Sequence, residues 1–328
     1  MSEPTFPVVS AVVTFHGEGL LAHKTLLGLE RVRCYSEAQG IPVELIAVLD
    51  CADIETQRVV KSSPVLRAED QVLEVSNRDL GASRNSAIRV ARGDYIGIFD
   101  GDDYYSKNWL VQALAVVREK QGDVIVHPEY LITFGTIQSF SIPWDMDDRT
   151  DYSLSNCLAL QPWLVCSFGK KELYLRQPYQ RADFLKTGFG YEDWHWNLEL
   201  VSQGVRHVSA KKTALFYRRK LVSMLTSMQS AGAVIRPSEF FNHPERWDKP
   251  VGTTLETVEH VDLDDQSYIK ELLKGKDWLE SQWKAFQAEL AEVQKCYELA
   301  QAQLGILTAQ VERLQSALAD KDRGGSDD

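Results

Sequence analysis

Short apolar runs alternate with amphipathic stretches through about residue 125 of the chain. The runs are rich in β-branched residues and lack helical spacing, so they predict buried strands. The predicted strands are 8–14, 43–49, 71–75 and 95–99. Between the strands, apolar residues recur at helical spacing, and the predicted helices are 24–39, 54–61, 82–91 and one after Ser106. Strands that alternate with helices specify an α/β fold with a mostly parallel sheet and helices on both faces.

The pattern is less regular between residues 123 and 187, which hold a short predicted strand at 124–126 and further β-rich sequence. A helix is predicted at 190–203, because apolar residues such as Trp196 supply a buried side and Gly204 ends it. Strand-like segments follow through residue 216. We therefore assign residues 1–232 to one α/β domain.

Apolar residues near the C-terminus follow a strict four-three spacing. They are Leu279, Trp283, Phe286, Leu290, Val293, Tyr297, Ala300, Leu304, Leu307, Val311, Leu314 and Leu318. This heptad core predicts a coiled-coil oligomerisation helix at 277–320, through which the chain joins copies of itself or an assembly partner. A helix docked on its own domain is the alternative. Prolines and weak periodicity indicate a linker or strap at 233–276, and we expect a disordered tail at 321–328.

Charge and cysteine content narrow the class of protein. Lysine and arginine number 36 against 47 acids, which gives a net charge of −11 and argues against nucleic-acid binding. The five cysteines are scattered and form no CxxC pair, as expected in a reducing cytosol. The sequence shows neither a signal peptide nor a transmembrane segment. We expect a cytoplasmic protein, and peripheral attachment to the inner face of a membrane stays open.

Acidic residues crowd the end of the strand at 95–99. Asp100, Asp102 and Asp103 follow it directly. Carboxylates so close together repel each other unless a cation lies among them. The carboxyl ends of strands are also where α/β sheets bind ligands. The cluster therefore predicts a divalent-metal site for a phosphorylated ligand, with a simple acidic turn as the alternative.

Three stretches of the chain carry a resemblance to a known family. The first, NRDLGASRNSAIRVARGDYIGIFDGDD, looks like the nucleotide-sugar-binding core of family 2 glycosyltransferases, which have the Rossmann-like GT-A fold. GYEDWHWNLELVSQG is similar to its catalytic helix, and FYRRKLVSML resembles the basic segment that follows. The likeness covers residues from about 7 to 230, and the three motifs occur in the family's order.

The resemblance implies roles for the acidic residues. Asp100 would face the ribose and Asp102 would hold Mn²⁺ or Mg²⁺, with Asp103 as a further candidate ligand. Asp193 would be the base that takes the proton of the acceptor hydroxyl, and Glu192 would help to position the acceptor. The alternative for the last two is a pair of acids placed for the helix dipole.

The nucleotide is expected over the first two strands. Phe15 would pack against the base, and Asp50 and Arg84 would hydrogen-bond its edge. The structural alternatives are a capping role for Asp50 and an exposed helix charge for Arg84. One of Arg218, Arg219 and Lys220 would close over the diphosphate, since guanidinium groups suit phosphate recognition, and a solvated basic run is the alternative.

These features together imply an inverting, metal-dependent glycosyltransferase. It would move a sugar from a nucleotide-sugar, with a UDP-sugar favoured, to a hydroxyl of a glycan or lipid-linked acceptor in surface polysaccharide synthesis. A noncatalytic coiled-coil scaffold with a degenerate transferase head stays open. A sugar-nucleotide pyrophosphorylase is disfavoured, because TFHGEGLLAHK lacks the arginine of the loop that those enzymes share.

Overall fold

The structure is a computed structural model that describes residues 7–148, 154–158, 161–163 and 166–246. The chain divides into two units, Met1–Gly252 and Thr253–Asp328, and every described residue belongs to the first. The predicted coiled coil at 277–320 and tail at 321–328 lie outside the described residues, as does the predicted linker beyond residue 246.

Strands and helices alternate along the first half of the domain and are mixed with short turns in the second. The strands are β1 (Val9–Phe15), β2 (Val43–Asp50), β3 (Gln71–Val75), β4 (Tyr95–Asp100), β5 (Tyr104–Tyr105), β6 (Val124–Gly135), β7 (Ser139–Ser141), β8 (Phe168–Lys170), β9 (Phe189–Gly190), β10 (Arg206–Arg219) and β11 (Val234–Ile235). The α-helices are α1 (Leu20–Glu37), α2 (Ile54–Lys61), α3 (Leu80–Val90), α4 (Trp109–Glu119), α5 (Lys171–Arg176), α6 (Phe184–Thr187), α7 (Glu192–Ser202) and α8 (Met224–Ser230). Short 3₁₀ turns lie at Leu154–Leu158, Glu239–Asn242 and Pro244–Arg246.

The main sheet runs in the order β3-β2-β1-β4-β8-β6-β10-β5, and β7 adds to β6. β1 pairs in parallel with β2 and β4, and β6 pairs in parallel with β10. The short strand β8 is antiparallel to both β4 and β6 and joins these two parallel groups. The predicted α/β fold with a mostly parallel sheet is confirmed.

Successive side chains of the strands face two separate hydrophobic cores, one on each side of the sheet. Val9 and Val13 of β1 face one core, which also contains residues of α1 and α4. Val12 faces the other, which also contains residues of α3, α5 and α7. Successive side chains of a strand point to opposite faces, so each strand supplies both layers.

The register brings the carboxyl ends of the first strands to one edge. Thr14 of β1 lies opposite Asp100 of β4, and Phe15 lies opposite Leu49 of β2. Gly101 follows at this edge, where an added Cβ would lie 2.5 Å from the Thr14 carbonyl oxygen. Only glycine fits this close approach, so the chain turns sharply into the acidic residues.

Two regions differ in detail from the predicted elements. The predicted strand at 124–126 extends to Gly135, because β6 pairs with β10 on both sides of a register shift between Ala210 and Ala214. The first residues of the predicted linker or strap form β11, which pairs with β9 just before α7. Within the described residues, no helix has both the length and the apolar composition needed to cross a membrane.

Candidate active site

Arg84 joins the end of β4 to the start of α7. It lies on α3 and is 1% exposed. One terminal nitrogen of its guanidinium donates to Glu192 Oε1 at 2.9 Å, and the other donates to Asp100 Oδ1 at 3.0 Å. A buried guanidinium needs such carboxylate partners. The two acidic motifs of the sequence therefore meet at one buried cation.

Glu192 begins α7 and is almost fully buried. The residue before it, Tyr191, has a φ of 55°, in the left-handed region, and this turns the chain into the helix. Burial raises the pKa of Glu192 to about 7, the charge of Asp193 adds to the rise, and Arg84 opposes it. The carboxyl group of Glu192 therefore exchanges its proton near neutral pH.

The raised pKa of Glu192 predicts a stability that falls as pH rises. The folded state keeps a proton that the unfolded chain loses near pH 4.5, so ionised Glu192 destabilises the fold between about pH 4.5 and 7. Relative to Glu192→Gln, the wild type should lose roughly 3 kcal/mol of unfolding free energy across this window. Urea unfolding at several pH values measures the difference. Glu172→Gln, which changes an exposed acid of α5, is the control. A difference in unfolding free energy between the wild type and Glu192→Gln that stays constant across this pH range would contradict the prediction.

Asp193 is the second residue of α7 and is half-buried. Its Oδ2 accepts a hydrogen bond from Gln161 Nε2 at 2.7 Å, and its Oδ1 accepts the backbone N–H of Trp194 at 2.9 Å. Its negative charge contributes to the raised pKa of both Asp100 and Glu192. Asp193 thus belongs to the same acidic group as the end of β4.

Asp100 ends β4 and is held by Arg84. Burial raises the pKa of its carboxyl group, Arg84 lowers it, and the charge of Asp102 raises it again. Its backbone N–H donates to the Tyr105 hydroxyl at 3.2 Å. The carboxylate therefore faces α3 and α7 rather than a shared point with the acids that follow.

Asp102 is paired with Lys220. The Lys220 Nζ lies 2.6 Å from Asp102 Oδ2, and the Asp102 side chain is 15% exposed. Glu18, in the loop after β1, is close to both, since burial raises its pKa, Asp102 raises it further and Lys220 lowers it. An ammonium group thus lies beside the acid that the sequence assigned to a cation.

Asp103 is a structural acid, which corrects the expectation of a third ligand. It is 1% exposed, and its Oδ1 accepts the backbone N–H of Arg218 at 2.8 Å. Burial and the charges of Asp100 and Asp102 raise the pKa of its carboxyl group well above its ordinary value. The side chain ties the acidic turn to β10 instead of pointing outward with Asp102.

The predicted three-carboxylate metal site is not formed by these residues. Within the described ranges, no three histidine, cysteine or acidic side chains converge as metal ligands. Each acid is drawn to a different partner: Asp100 to Arg84, Asp102 to Lys220 and Asp103 to the Arg218 backbone. Mg²⁺ usually takes one or two carboxylates plus phosphate oxygens, so Asp102 alone is enough to fit a divalent cation.

The nucleotide residues predicted from the sequence lie at the expected edge but have other partners. Phe15 is 1% exposed and packs against Gly101, so its ring belongs to the hydrophobic core. Asp50 accepts the backbone N–H groups of Arg78 and Asp79 at 2.9 and 3.0 Å, so it holds the turn before α3, and the N-cap of that helix is Asp79. Arg84 uses both terminal nitrogens on carboxylates, so the expected bond to the base is corrected as well.

The two arginines after α7 differ in position. Arg218 donates to the Asp102 carbonyl oxygen at 3.2 Å, and its guanidinium carbon lies 4.6 Å from the centroid of the Phe134 ring. Arg219 lies 6.0 Å from the centroid of the Tyr217 ring. The structure therefore brings Arg218 and Lys220 to the acidic turn and places Arg219 away from these contacts.

Two polar residues at the site were missed from the sequence. Gln161 touches Asp193, and no motif marks it. Glu18 lies near Asp102, and its position directly after β1 is a signal that sequence reasoning had available. The carboxyl ends of parallel strands meet at one edge of the sheet, so polar residues after β1 are expected at the site together with those after β4.

Parts of the chain are similar to known proteins. Residues 10–144 match the model of the family described as Glycosyl transferase family 2. The chain is 30% identical over 83 residues to the Bacillus subtilis protein "Uncharacterized glycosyltransferase EpsJ", which covers 25% of this chain and 24% of EpsJ. It is 32% identical over 108 residues to the Staphylococcus aureus poly(ribitol-phosphate) beta-N-acetylglucosaminyltransferase TarS, which covers 33% of this chain and 18% of TarS. The chain thus matches about a quarter or less of these curated relatives.

Solved structures similar to the chain share less sequence with it. S. aureus TarS 1-349 in complex with UDP-GlcNAc is 17% identical, with 71% of this chain and 63% of that chain covered and a TM-score of 0.48. The mannosyltransferase PcManGT from Pyrobaculum calidifontis in complex with GDP-Man and Mn²⁺ is 15% identical, with 75% and 66% covered and a TM-score of 0.48.

The α/β sheet thus has an acidic turn at its carboxyl edge, and Arg84 links this turn to the acidic pair that begins α7. The part of the chain that matches the family 2 model, residues 10–144, contains the acidic turn, and α7 lies beyond the match.

Proposed function

We propose that the chain transfers a sugar from a nucleotide-sugar to a hydroxyl group of a glycan or lipid-linked acceptor, with inversion at the anomeric carbon. The supporting observation is the Arg84 bridge, in which one buried guanidinium bonds both Asp100, 16 residues later in the sequence, and Glu192, 108 residues later. The bridge places Asp193 beside the acids of the β4 edge. Inverting transfer requires such a base opposite the leaving diphosphate.

In this proposal each acidic residue has a different role. Asp193 takes the proton of the acceptor hydroxyl as that oxygen attacks the anomeric carbon. Glu192, held by Arg84, fixes the first turn of α7, and Asp100 faces the ribose of the donor. Asp102 would hold Mn²⁺ or Mg²⁺. Such a cation would neutralise the negative charge of the departing diphosphate.

A UDP-sugar is the proposed donor. The relative TarS is named as a beta-N-acetylglucosaminyltransferase, so UDP-N-acetylglucosamine is the first compound to test. Thermal unfolding with UDP-, GDP- and dTDP-sugars and Mn²⁺ should show a selective rise in the unfolding midpoint, because ligand binding stabilises the folded state. Nucleotide release by the selected compound then tests turnover. Binding without turnover for every acceptor tried would favour the noncatalytic scaffold instead.

The heptad segment at 277–320 is proposed to join chains. The evidence is the four-three spacing of its apolar residues. A chain that ends at Lys276 should have the mass of a single copy in light scattering, and the full chain should have a multiple of it. If the measured masses correspond to the same number of copies for both chains, this proposal is contradicted.

Lys220 should compete with a divalent cation for Asp102. Its ammonium group lies 2.6 Å from the carboxylate, and the pair is partly exposed. Because such pairs contribute about 0.2–1 kcal/mol, Lys220→Met should tighten Mn²⁺ binding by roughly two- to fivefold. Electron paramagnetic resonance of free Mn²⁺, without nucleotide, measures the affinity. Lys186→Met, at an exposed lysine paired with Asp183, is the control, and weaker binding in Lys220→Met would show that Lys220 does not compete.

A further inference from the structure

A small cleft is lined in part by Gln161, the residue that bonds Asp193, and the roles assigned so far do not include this cleft. Its volume is about 190 Å³, and its walls include Leu131, Ser141, Ile142, Gln161, Pro162 and Trp163. Leu131 and Ser141 face each other across β6 and β7, which form one side. The cleft is smaller than the ~300–1,000 Å³ of pockets that enclose drug-sized ligands. It therefore suits one small ring rather than a nucleotide.

The described side chains that line the cleft are uncharged. They include apolar side chains, one hydroxyl and one amide. Such a surface does not attract phosphate or a metal ion, which need charged or multiple oxygen ligands. A sugar ring has apolar faces and hydroxyl groups around its rim, and it matches this surface.

Gln161 connects the cleft to the proposed base. Its side chain lines the cleft, and its Nε2 donates to Asp193 Oδ2 at 2.7 Å. The backbone N–H of Trp194 occupies the other oxygen at 2.9 Å. These two bonds fix the plane of the carboxylate. A ring in the cleft would thus lie against the residue that orients the base.

The back wall of the cleft is rigid. The Trp163 ring stacks 4.1 Å from the His207 ring and 5.5 Å from the Trp144 ring, measured between centroids. Its indole N–H donates to the Trp144 carbonyl oxygen at 2.7 Å. His207 in turn is hydrogen-bonded to His127, with 2.9 Å between Nδ1 and Nε2. A wall fixed in this way keeps its shape when a ligand enters.

We propose that this cleft binds the terminal sugar unit of the acceptor, and that Gln161 is the positioning residue that links it to Asp193. The inference rests on the proposed function, because it takes Asp193 as the base. It adds the class of ligand, a neutral sugar ring, and the place where that ring is held. The donor is held separately, at the β4 edge.

Binding to the cleft is tested without turnover. Saturation-transfer-difference NMR with methyl glucoside, methyl N-acetylglucosaminide and methyl mannoside, each with saturating UDP to fill the donor site, should give a signal for at least one glycoside. Ser141→Trp, at an exposed position on the rim, should abolish it. Ile137→Trp, which adds the same bulk in the nearby β6–β7 turn outside the cleft, should retain it. No signal in the wild type, or a signal that survives Ser141→Trp, overturns the proposal.

The positioning role of Gln161 has its own measurement. Gln161→Ala should lower kcat about tenfold, which corresponds to one lost hydrogen bond to a charged group, and leave the donor KM unchanged. Gln161→Glu should lower kcat further, because it places a like charge beside Asp193. Gln161→Asn, which keeps the amide on a shorter side chain, should recover part of the loss. A wild-type kcat in Gln161→Ala, or an equal rise in the donor KM, overturns this role.

The two proposals fail in different ways. A wild type that binds a glycoside in the cleft but turns over no nucleotide-sugar would refute the transferase function and support the cleft. A wild type that turns over donor while no glycoside signal depends on Ser141 would support the function and refute the cleft.

Discussion

Asp193→Asn is expected to lower kcat for sugar transfer by about 10²–10⁴-fold, the range that general-base catalysis contributes. Asparagine has nearly the same shape and its side-chain oxygen still accepts one hydrogen bond, from Gln161 or from the Trp194 N–H, but it cannot take a proton. Donor binding should be unchanged, because the proposed role of Asp193 is to take the proton of the acceptor hydroxyl. Initial rates of nucleotide release with saturating donor measure the effect.

Asp123→Asn is the matched control for this substitution. Asp123 precedes β6 at the opposite end of the strands and pairs with Arg176 on the surface. It should keep full activity. A rate for Asp193→Asn within threefold of the wild type would remove the base assignment, whatever the donor proves to be.

Arg84→Met is expected to lower the free energy of unfolding by about 3–5 kcal/mol, the cost of breaking a buried ion pair. The substitution leaves Glu192, which is 5% exposed, and the carboxylate of Asp100 without their shared cation. It should also abolish transfer, since the bridge joins β4 to α7. Urea unfolding at neutral pH measures the loss.

Two further variants separate the ion pair from simple side-chain loss. Arg89→Met changes an exposed arginine of the same helix, which donates to the Ser86 hydroxyl at 3.1 Å, and should cost little. Adding Glu192→Gln to Arg84→Met should restore part of the lost stability, because one unpaired buried charge is removed. A loss below about 1 kcal/mol for Arg84→Met would mean that the bridge contributes little to the fold.

The first half of the fold was predictable because its signals are local. β1 to β4 are short β-branched runs, and the helices between them start and end within four residues of the predicted bounds. The acidic turn also had a local signature, three aspartates around one glycine. Neither inference needed a contact between distant parts of the chain.

The partners of the site residues were not predictable in the same way. The burial of Arg84 depends on Glu192, which follows 108 residues later. Asp102 and Asp103 are adjacent in sequence, yet one pairs with Lys220 and the other with the Arg218 backbone, because the turn sends them to different sides. Gln161 lies in irregular sequence, where no periodicity indicates direction. Tertiary contacts, rather than local sequence propensity, determine the burial of Arg84 and the partners of the other residues.

The acidic turn also has a mechanical consequence. β4 belongs to the first parallel group of strands, whereas β5, only three residues beyond its end, pairs with β10 of the second. Gly101, Asp102 and Asp103 thus form a three-residue covalent link between the two parallel groups that β8 joins inside the sheet. A single residue inserted there would change the distance between the end of β4 and the start of β5, and with it the positions of Asp102 and Asp103 relative to Asp100.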